Sequence, residues 1–276
     1  MKTRRKLWTA TTLLALALSV IVAVGCGDDD GGNKSSNASF STIQEGTLTV
    51  GSDIPYKPFE FGDAPNYEGF DVELVNAVAN KLDLKAKFVK TPFDTIFRNL
   101  AQGKFDIVAS ASTITAEREK EVDFSEPYFP ADQSLMVKRG SNIKTIADVK
   151  GQVIGAQLGT TGADYAKKSS VGAKSVRTYE LIDDAFNALA AGQVVAVIND
   201  CPVSKYAEKA HKDLEVVQAI KTDERYGFAF APDSDDLRTA FNKELEAAKK
   251  DGTVKRIQDK WLGTDPCKGL PETSGT

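Results

Sequence analysis

Short apolar runs of strand type and longer amphipathic runs of helix type take turns along this chain. Residues 46–51 (GTLTVG) read as a strand, followed by a turn-rich loop over 52–58. Across 71–82, Leu74, Val75, Val78 and Leu82 recur on one helical stripe. A strand at 86–90, a helix at 93–101 closed by Gly103, and a strand at 105–109 come next. The pattern then begins again, with a strand at 151–156, a Gly and Thr loop at 157–162 and a helix at 163–168. Residues 189–193 and the strand 194–198 echo 100–104 and the strand 105–109, an offset of 89 residues. A strand at 227–231 and helices at 237–248 and 253–261 close the chain. This alternation predicts an α/β fold with helices packed on parallel sheet, built from two related halves.

Both echoed strands run out into polar groups. The first ends in Ser110, Ala111, Ser112 and Thr113, the second in Asn199 and Asp200. Ligands of open parallel sheets sit beyond the carboxyl ends of the strands, so residues 110–118 and 199–200 are expected to face each other across one cleft. Thr115 is predicted to cap a helix with Arg118 in its first turn, where the helix dipole disfavours a cation. Arg118 therefore either pairs with Glu121 or Asp123 at the surface or holds an anion. Its planar fork suits a carboxylate, and backbone N–H groups near Thr113 and Thr161 can add donors. Asp200 either caps the helix opened by Pro202 or balances an ammonium group. Tyr56 and Phe93, which follow strands, are candidates to clamp the rest of a ligand.

Composition narrows the choices. The chain has 276 residues, 41% of them hydrophobic, enough for real cores in one large domain or two ordinary ones. Residues 1–25 carry Lys2, Arg4, Arg5 and Lys6, no acid, and an apolar run from 7 to 24, the pattern of an export signal. Without these four cations the formal charge moves from -4 to -8, with 31 basic against 39 acidic residues, which argues against a nucleic-acid partner. Ala23, Val24, Gly25 and Cys26 resemble the bacterial lipobox, whose cysteine is lipidated and anchors the mature protein to a membrane face. Residues 26–45, rich in Asp, Gly, Ser and Asn, are expected to be a flexible tether. Cys201 and Cys267 then remain, and an extracytoplasmic setting favours a disulfide between them. One histidine, His211, and the lack of a Cys and His cluster, a G-x-S-x-G elbow or a P-loop leave no metal site, cofactor or hydrolytic chemistry to expect.

Five stretches carry a family resemblance: GSDIPYKPFEF (51–61), EGFDVELVNAVANKL (68–82), GKFDIVASASTITAEREKEVDFSEPYF (103–129), GAQLGTTGADYA (155–166) and DGTVKRIQDKWLG (251–263). Together they resemble extracellular solute-binding protein family 3, the polar amino acid binding proteins of bacterial ABC importers. The resemblance implies a type II periplasmic binding fold, two α/β lobes joined by two crossing segments. It places lobe 1 at 46–139 and 227–265, lobe 2 at 140–226 and a tail at 266–276. It implies that Arg118 grips the ligand's α-carboxylate, with Thr113 as hydroxyl partner and Thr161 as donor from the second lobe. Ala111, beside Ser110, would offer a backbone carbonyl to the α-ammonium and Asp200 its carboxylate. Tyr56 and Phe93 would clamp the ligand, and Asp53 and Gln157 would face its side chain. The implied protein is a lipid-anchored, extracytoplasmic monomer and not an enzyme, delivering a free polar or basic amino acid to a permease. Two rivals stand beside it. One is a cyclohexadienyl or arogenate dehydratase on the same scaffold, with Asp53 or Glu60 as general acid; the other is the sensory domain of a receptor, disfavoured because no transmembrane or kinase segment follows Gly263.

Overall fold

The computed structural model describes residues 40–275. The export signal, Cys26 and the tether up to residue 39 lie outside the described residues. Of the expected tether, residues 40–45 are fixed in place. Phe40, the first large apolar residue after the polar run, packs against the core, and Ile43 N–H donates to Asp106 Oδ1 at 2.7 Å while its side chain stays exposed.

In chain order come β1 (Thr47–Ser52), a hairpin of β2 (Phe61–Asp63) and β3 (Asn66–Glu68), α1 (Phe70–Lys81), β4 (Lys85–Lys90), α2 (Phe93–Ala101), β5 (Ile107–Val108), β6 (Asp123–Phe124) and β7 (Phe129–Lys138). They are followed by β8 (Val153–Gln157), α3 (Thr161–Ala166), β9 (Ser175–Tyr179), α4 (Ile182–Ala190), β10 (Ala196–Asp200), α5 (Cys201–Ala210), β11 (Leu214–Tyr226), β12 (Ala229–Phe230), α6 (Asp235–Lys250), α7 (Thr253–Trp261) and β13 (Glu272–Ser274).

Two sheets organise these elements. The first has the order β4-β1-β5-β12-β6 and the second β13-β11-β7-β10-β8-β9. Within the first, β1 lies parallel to both β4 and β5, and β12 is antiparallel to β5. Within the second, β8 lies parallel to both β9 and β10, and β7 is antiparallel to β10. The two halves thus repeat one arrangement, and α2 and α4, nine residues each, begin at 93 and 182. That spacing is the 89 residues legible in the sequence.

Helices cover the sheets because each offers an apolar stripe. Phe70, Leu74, Val75 and Val78 of α1 pack with Leu48, Val50 and Ile107 on one face of the first sheet, while Phe93, Ile96 and Leu100 of α2 pack with Val108 on the other. In the second sheet α3 contributes Tyr165 and Ala166 on one side and α4 Phe186 and Leu189 on the other. Every residue of β10 is buried, as expected of a strand covered on both faces.

The long strands β7 and β11 run antiparallel between the sheets, with irregular register at Val216–Gln218 and Ile220–Glu224. Their first-sheet end is fixed by Phe59, whose ring meets Phe70, Phe129 and Tyr226 edge-on at 5.8, 5.5 and 5.3 Å. Such aromatic pairs each add about 0.5–1.5 kcal/mol beyond area burial. A Cys201–Cys267 disulfide ties the tail to the start of α5, and β13 extends the second sheet along β11.

One element departs from expectation. Thr115 accepts the Arg118 N–H at 3.2 Å as the expected cap, but the helix it opens is cut to a single 3-10 turn over Arg118–Lys120. TAEREKEV offers Val122 alone as a buried residue, so no apolar stripe supports further turns, and β6 then pairs with β12.

Candidate functional site

The first lobe's rim begins where β5 ends. Ala111 turns the chain with φ 43, a left-handed conformation unusual for a side chain larger than glycine's. Buried Asp71 holds that turn. Its Oδ2 accepts the Ala111 N–H at 2.9 Å, and Tyr128 donates its hydroxyl to the same carboxyl at 2.7 Å. Burial pushes the Asp71 carboxyl up to about 7, against the pull of those hydrogen bonds. Beside it Ser110 donates to Glu60 Oε1 at 2.8 Å and accepts the Asp53 N–H at 2.9 Å, so its hydroxyl is occupied within the lobe. Burial also pushes Glu60 well above the usual carboxylate range, and its Oε2 has no hydrogen-bond partner.

Arg118 does not make the surface pair. Among the described residues it has no ion-pair partner; its Nη1 donates to Thr113 O at 2.6 Å and its Nη2 to Gly159 O at 3.2 Å. Phe93 and Phe97 lie beneath the guanidinium at 5.1 and 4.9 Å from their ring centroids. Burial lowers its pKa, and the charges of Glu224 and Asp200 oppose that shift. Two of five donors are in use, so the fork retains capacity for an anion.

The second rim comes from β8, α3 and β10. Thr160 caps α3, accepting the Ala163 N–H at 3.1 Å, and Thr161 opens the helix, where its N–H has no helical acceptor. Gln157 donates both amide hydrogens, to Asp53 Oδ2 at 2.6 Å and Glu180 O at 2.9 Å. Burial pushes Asp53 up to about 7 despite the Gln157 hydrogen bond. Asp200 stands directly before α5, yet its side chain makes no cap. Instead Tyr56 and Tyr226 donate to Oδ2 at 2.6 and 2.5 Å, and Gln133 donates to Oδ1. Burial first, and the Glu224 charge second, push Asp200 up to about 6.

Nine of the ten candidate binding residues line one small cavity, with Arg118 and Asp200 both in its wall. Asp53 is outside that lining, reached through Gln157, and Thr160 is a wall residue that the motifs did not single out. The open space left between these side chains is about 10 Å³, on the scale of a single water, so the two rims are drawn close together. Tyr56 touches it from a buried position with its hydroxyl engaged on Asp200, and Phe93 from beneath Arg118.

Further polar residues complete the site without any motif to announce them. Thr113 and Thr161 each donate to Glu224 Oε2 at 2.7 Å, and Gln133 reaches Thr161 and both oxygens of Glu224 at 3.2–3.3 Å. Both Gln133 and Glu224 lie on the crossing strands, in stretches where polar residues give no amphipathic signal. The lobes approach closely enough that Gly159, at φ 78, lies against Asp94 at the start of α2; a Cβ there would come within 2.9 Å of its Cα. Among the described residues no group of three or more His, Cys, Asp or Glu is placed to hold a metal ion.

Comparison with known proteins identifies the family. Residues 48–264 match the bacterial extracellular solute-binding proteins, family 3. The L-cystine-binding protein TcyJ of Escherichia coli (strain K12) is 32% identical over 229 residues, 82% of this chain and 86% of its own. An ancestral arginine-binding protein bound to glutamine superposes with a TM-score of 0.75 at 39% identity, over 80% of this chain and 99% of that one. An ancestral amino acid-binding protein, a precursor of cyclohexadienyl dehydratase, superposes with a TM-score of 0.72 at 41% identity, over 79% and 95%. The architecture is the type II periplasmic binding fold. The chain belongs to the bacterial extracellular solute-binding proteins, family 3.

Proposed function

We propose that this protein is the extracytoplasmic receptor of an ABC importer and holds one free amino acid between its lobes before passing it to the permease. One observation carries the reading: a guanidinium and a carboxylate, 82 positions apart in sequence, stand in the wall of a single small cavity. Arg118, with the backbone N–H groups of Thr113 and Thr161, takes the α-carboxylate. Asp200 and the Ala111 carbonyl take the α-ammonium. Tyr56 and Phe93 close over the remainder, and Ser110 fixes the turn that carries Ala111. Lobe 1 comprises 46–139 and 227–265 and lobe 2 comprises 140–226; contacts made only when they meet are what a ligand would favour.

The side-chain end points to polar or basic amino acids. Both Gln157 amide hydrogens are engaged, so only its oxygen is left to a ligand, and an acceptor there suits a guanidinium, an ammonium or an amide N–H. Asp53 behind it adds negative charge as its proton is lost near neutral pH. The dehydratase reading finds less support, since neither Asp53 nor Glu60 is among the cavity's wall residues. The protein is therefore proposed to be a binding protein without catalysis, monomeric, and anchored by lipid on Cys26. A thermal-shift screen of the amino acids, with arogenate assayed for turnover, tests this. A ligand at 100 times its Kd raises stability by about 2.7 kcal/mol. No shift with any amino acid, or product from arogenate, would refute it.

A further inference from the structure

We propose that Glu224 fixes the direction of the Thr113 and Thr161 hydroxyls and so makes the cleft select ligands bearing an α-ammonium group; this rests on the amino-acid reading above. Thr113 belongs to the first rim, Thr161 to the start of α3 in the second, and Glu224 to the crossing strand β11. One oxygen of Glu224 receives both hydroxyls, each at 2.7 Å. A carboxylate only accepts, so each threonine gives it the single hydrogen it has and keeps lone pairs for its other side.

That other side is the ligand's. Both threonines line the cavity, whereas Glu224 is absent from its wall and lines a separate outer groove that the same two threonines share. Gln133 reinforces the arrangement. Its two amide hydrogens are shared among Asp200, Glu224 and Thr161, so protein hydrogens meet these acceptors from behind, and Thr161, where it accepts one, keeps one lone pair for the cavity. The cavity is left with two hydroxyl oxygens that can only accept, next to the Asp200 carboxylate. An ammonium has three hydrogens and no acceptor, and matches that set. A carboxylate finds no hydrogen on either hydroxyl and is directed to Arg118. The family resemblance implied the Thr113 hydroxyl as a partner of the carboxylate; with Glu224 in place its proton points away from the ligand.

Glu224 is thus a positioning residue, and its signature is a change in discrimination rather than a general loss of affinity. The test is calorimetric titration, to millimolar concentration, with two matched pairs: L-arginine against 5-guanidinopentanoate, and L-glutamine against 4-carbamoylbutanoate. Each pair differs only in the α-ammonium. In Glu224→Ala, preference for the amino acid over its des-amino partner should fall by about 10-fold or more, while des-amino affinity moves by less than about 3-fold. Glu224→Asp keeps the charge but withdraws the oxygen, and should behave like Glu224→Ala; it also serves if the alanine variant fails to fold by thermal melting. Glu224→Gln retains an acceptor oxygen without charge, and should recover most of the preference. Equal weakening of both members of a pair, or a glutamine variant no better than alanine, would overturn the role of Glu224 and leave the amino-acid reading intact. A wild-type protein that binds neither amino acid, with no shift in the wider screen, would remove that reading and this one with it.

Discussion

Ser110–Ala111 and Asn199–Asp200 stand 89 residues apart, at the ends of equivalent strands in the two halves, and they solve the same problem with different atoms. In the first half the chain leaves β5 through a left-handed Ala111, pinned by Asp71, and offers its backbone. In the second half β10 runs straight into α5, and Asp200, at φ -52, offers its side chain. A duplicated scaffold fixes where the polar strand ends lie, and local backbone conformation decides which chemical group each presents. The cation has no counterpart in the other half: Arg118 sits on a 3-10 turn, and its equivalent position, 207, is an alanine inside α5.

The largest effect should come from that unrepeated residue. Arg118→Ala should cost about 3–5 kcal/mol of amino-acid binding, because a ligand carboxylate would be desolvated without a charged partner. Arg118→Lys restores the charge but not the planar fork, and should recover only part of the loss. Calorimetry on variants with unchanged circular dichroism decides this. A Kd within about 3-fold of wild type for Arg118→Ala would show that the second half alone supplies recognition.

Asp200 separates the halves by pH. With its carboxyl raised to about 6, it takes up a proton as pH falls through that value and loses its attraction for an ammonium. Affinity should therefore fall by up to about 10-fold per pH unit below about 6, and Asp200→Asn should bind weakly with a flat profile. Stability has the opposite sign. Asp53, Asp71 and Asp200 all hold protons more tightly folded than unfolded, so their contribution is fully present below about pH 4 and is lost as pH rises through about 6–7. Ligand-free melting temperature should decline over that window, by at most about 1.4 kcal/mol per pH unit for each group, and Asp71→Asn should flatten it. Glu73 and Asp251 are lowered by lysine partners and act the other way, but with side chains 26% and 48% exposed their share is reduced by solvent screening. A melting temperature that rises from pH 4 to pH 7 would contradict the buried-acid assignment.

The sequence carried the scaffold well because periodicity reports burial. The stripe of α1, the bounds of α2 and α7, and the 89-residue echo all depend on apolar residues that pack where their spacing says. It carried the crossing strands poorly. β11 reads LEVVQAIKTDERY, with its exposed and buried positions out of alternation because the register slips twice, so no period survives. Glu224 and Gln133 fall in those stretches and were invisible for that reason. Arg118 was legible for the opposite reason: a cation after a strand end, where a helix dipole would disfavour it, asks for another partner. Its cushion, Phe97, belongs to α2 and is set by tertiary packing alone.

Gly159 tests whether the halves must meet. Its approach to Asp94 applies only where the second rim lies on α2, whereas its left-handed φ is local, so Gly159→Ala combines backbone strain with an interlobe clash. The strain alone is about 1–2 kcal/mol. Amino-acid affinity should drop by about 10-fold or more, with small-angle scattering in saturating ligand shifted toward a more open shape. An unchanged affinity would mean that recognition is complete within one lobe.

The smallest effect should fall on Ala111, and its smallness is the point of the comparison. In the proposed function position 111 offers its backbone to the ligand and position 200 its side chain, so changing the side chain at each should have unequal consequences. Ala111→Gly relieves a left-handed strain of about 1–2 kcal/mol, yet loses a buried methyl worth about 0.8 kcal/mol and adds about 0.5–1 kcal/mol of unfolded-chain entropy. These terms nearly cancel, so melting temperature should shift by only a few degrees in either direction and Kd should stay within about 3-fold. Asp200→Ala, which places the same methyl group at the matching point of the second half, removes the acceptor itself and should abolish measurable binding at micromolar ligand. If Ala111→Gly proved as damaging as Asp200→Ala, the alanine side chain would have to be touching the ligand, and the division between a backbone end and a side-chain end would not hold.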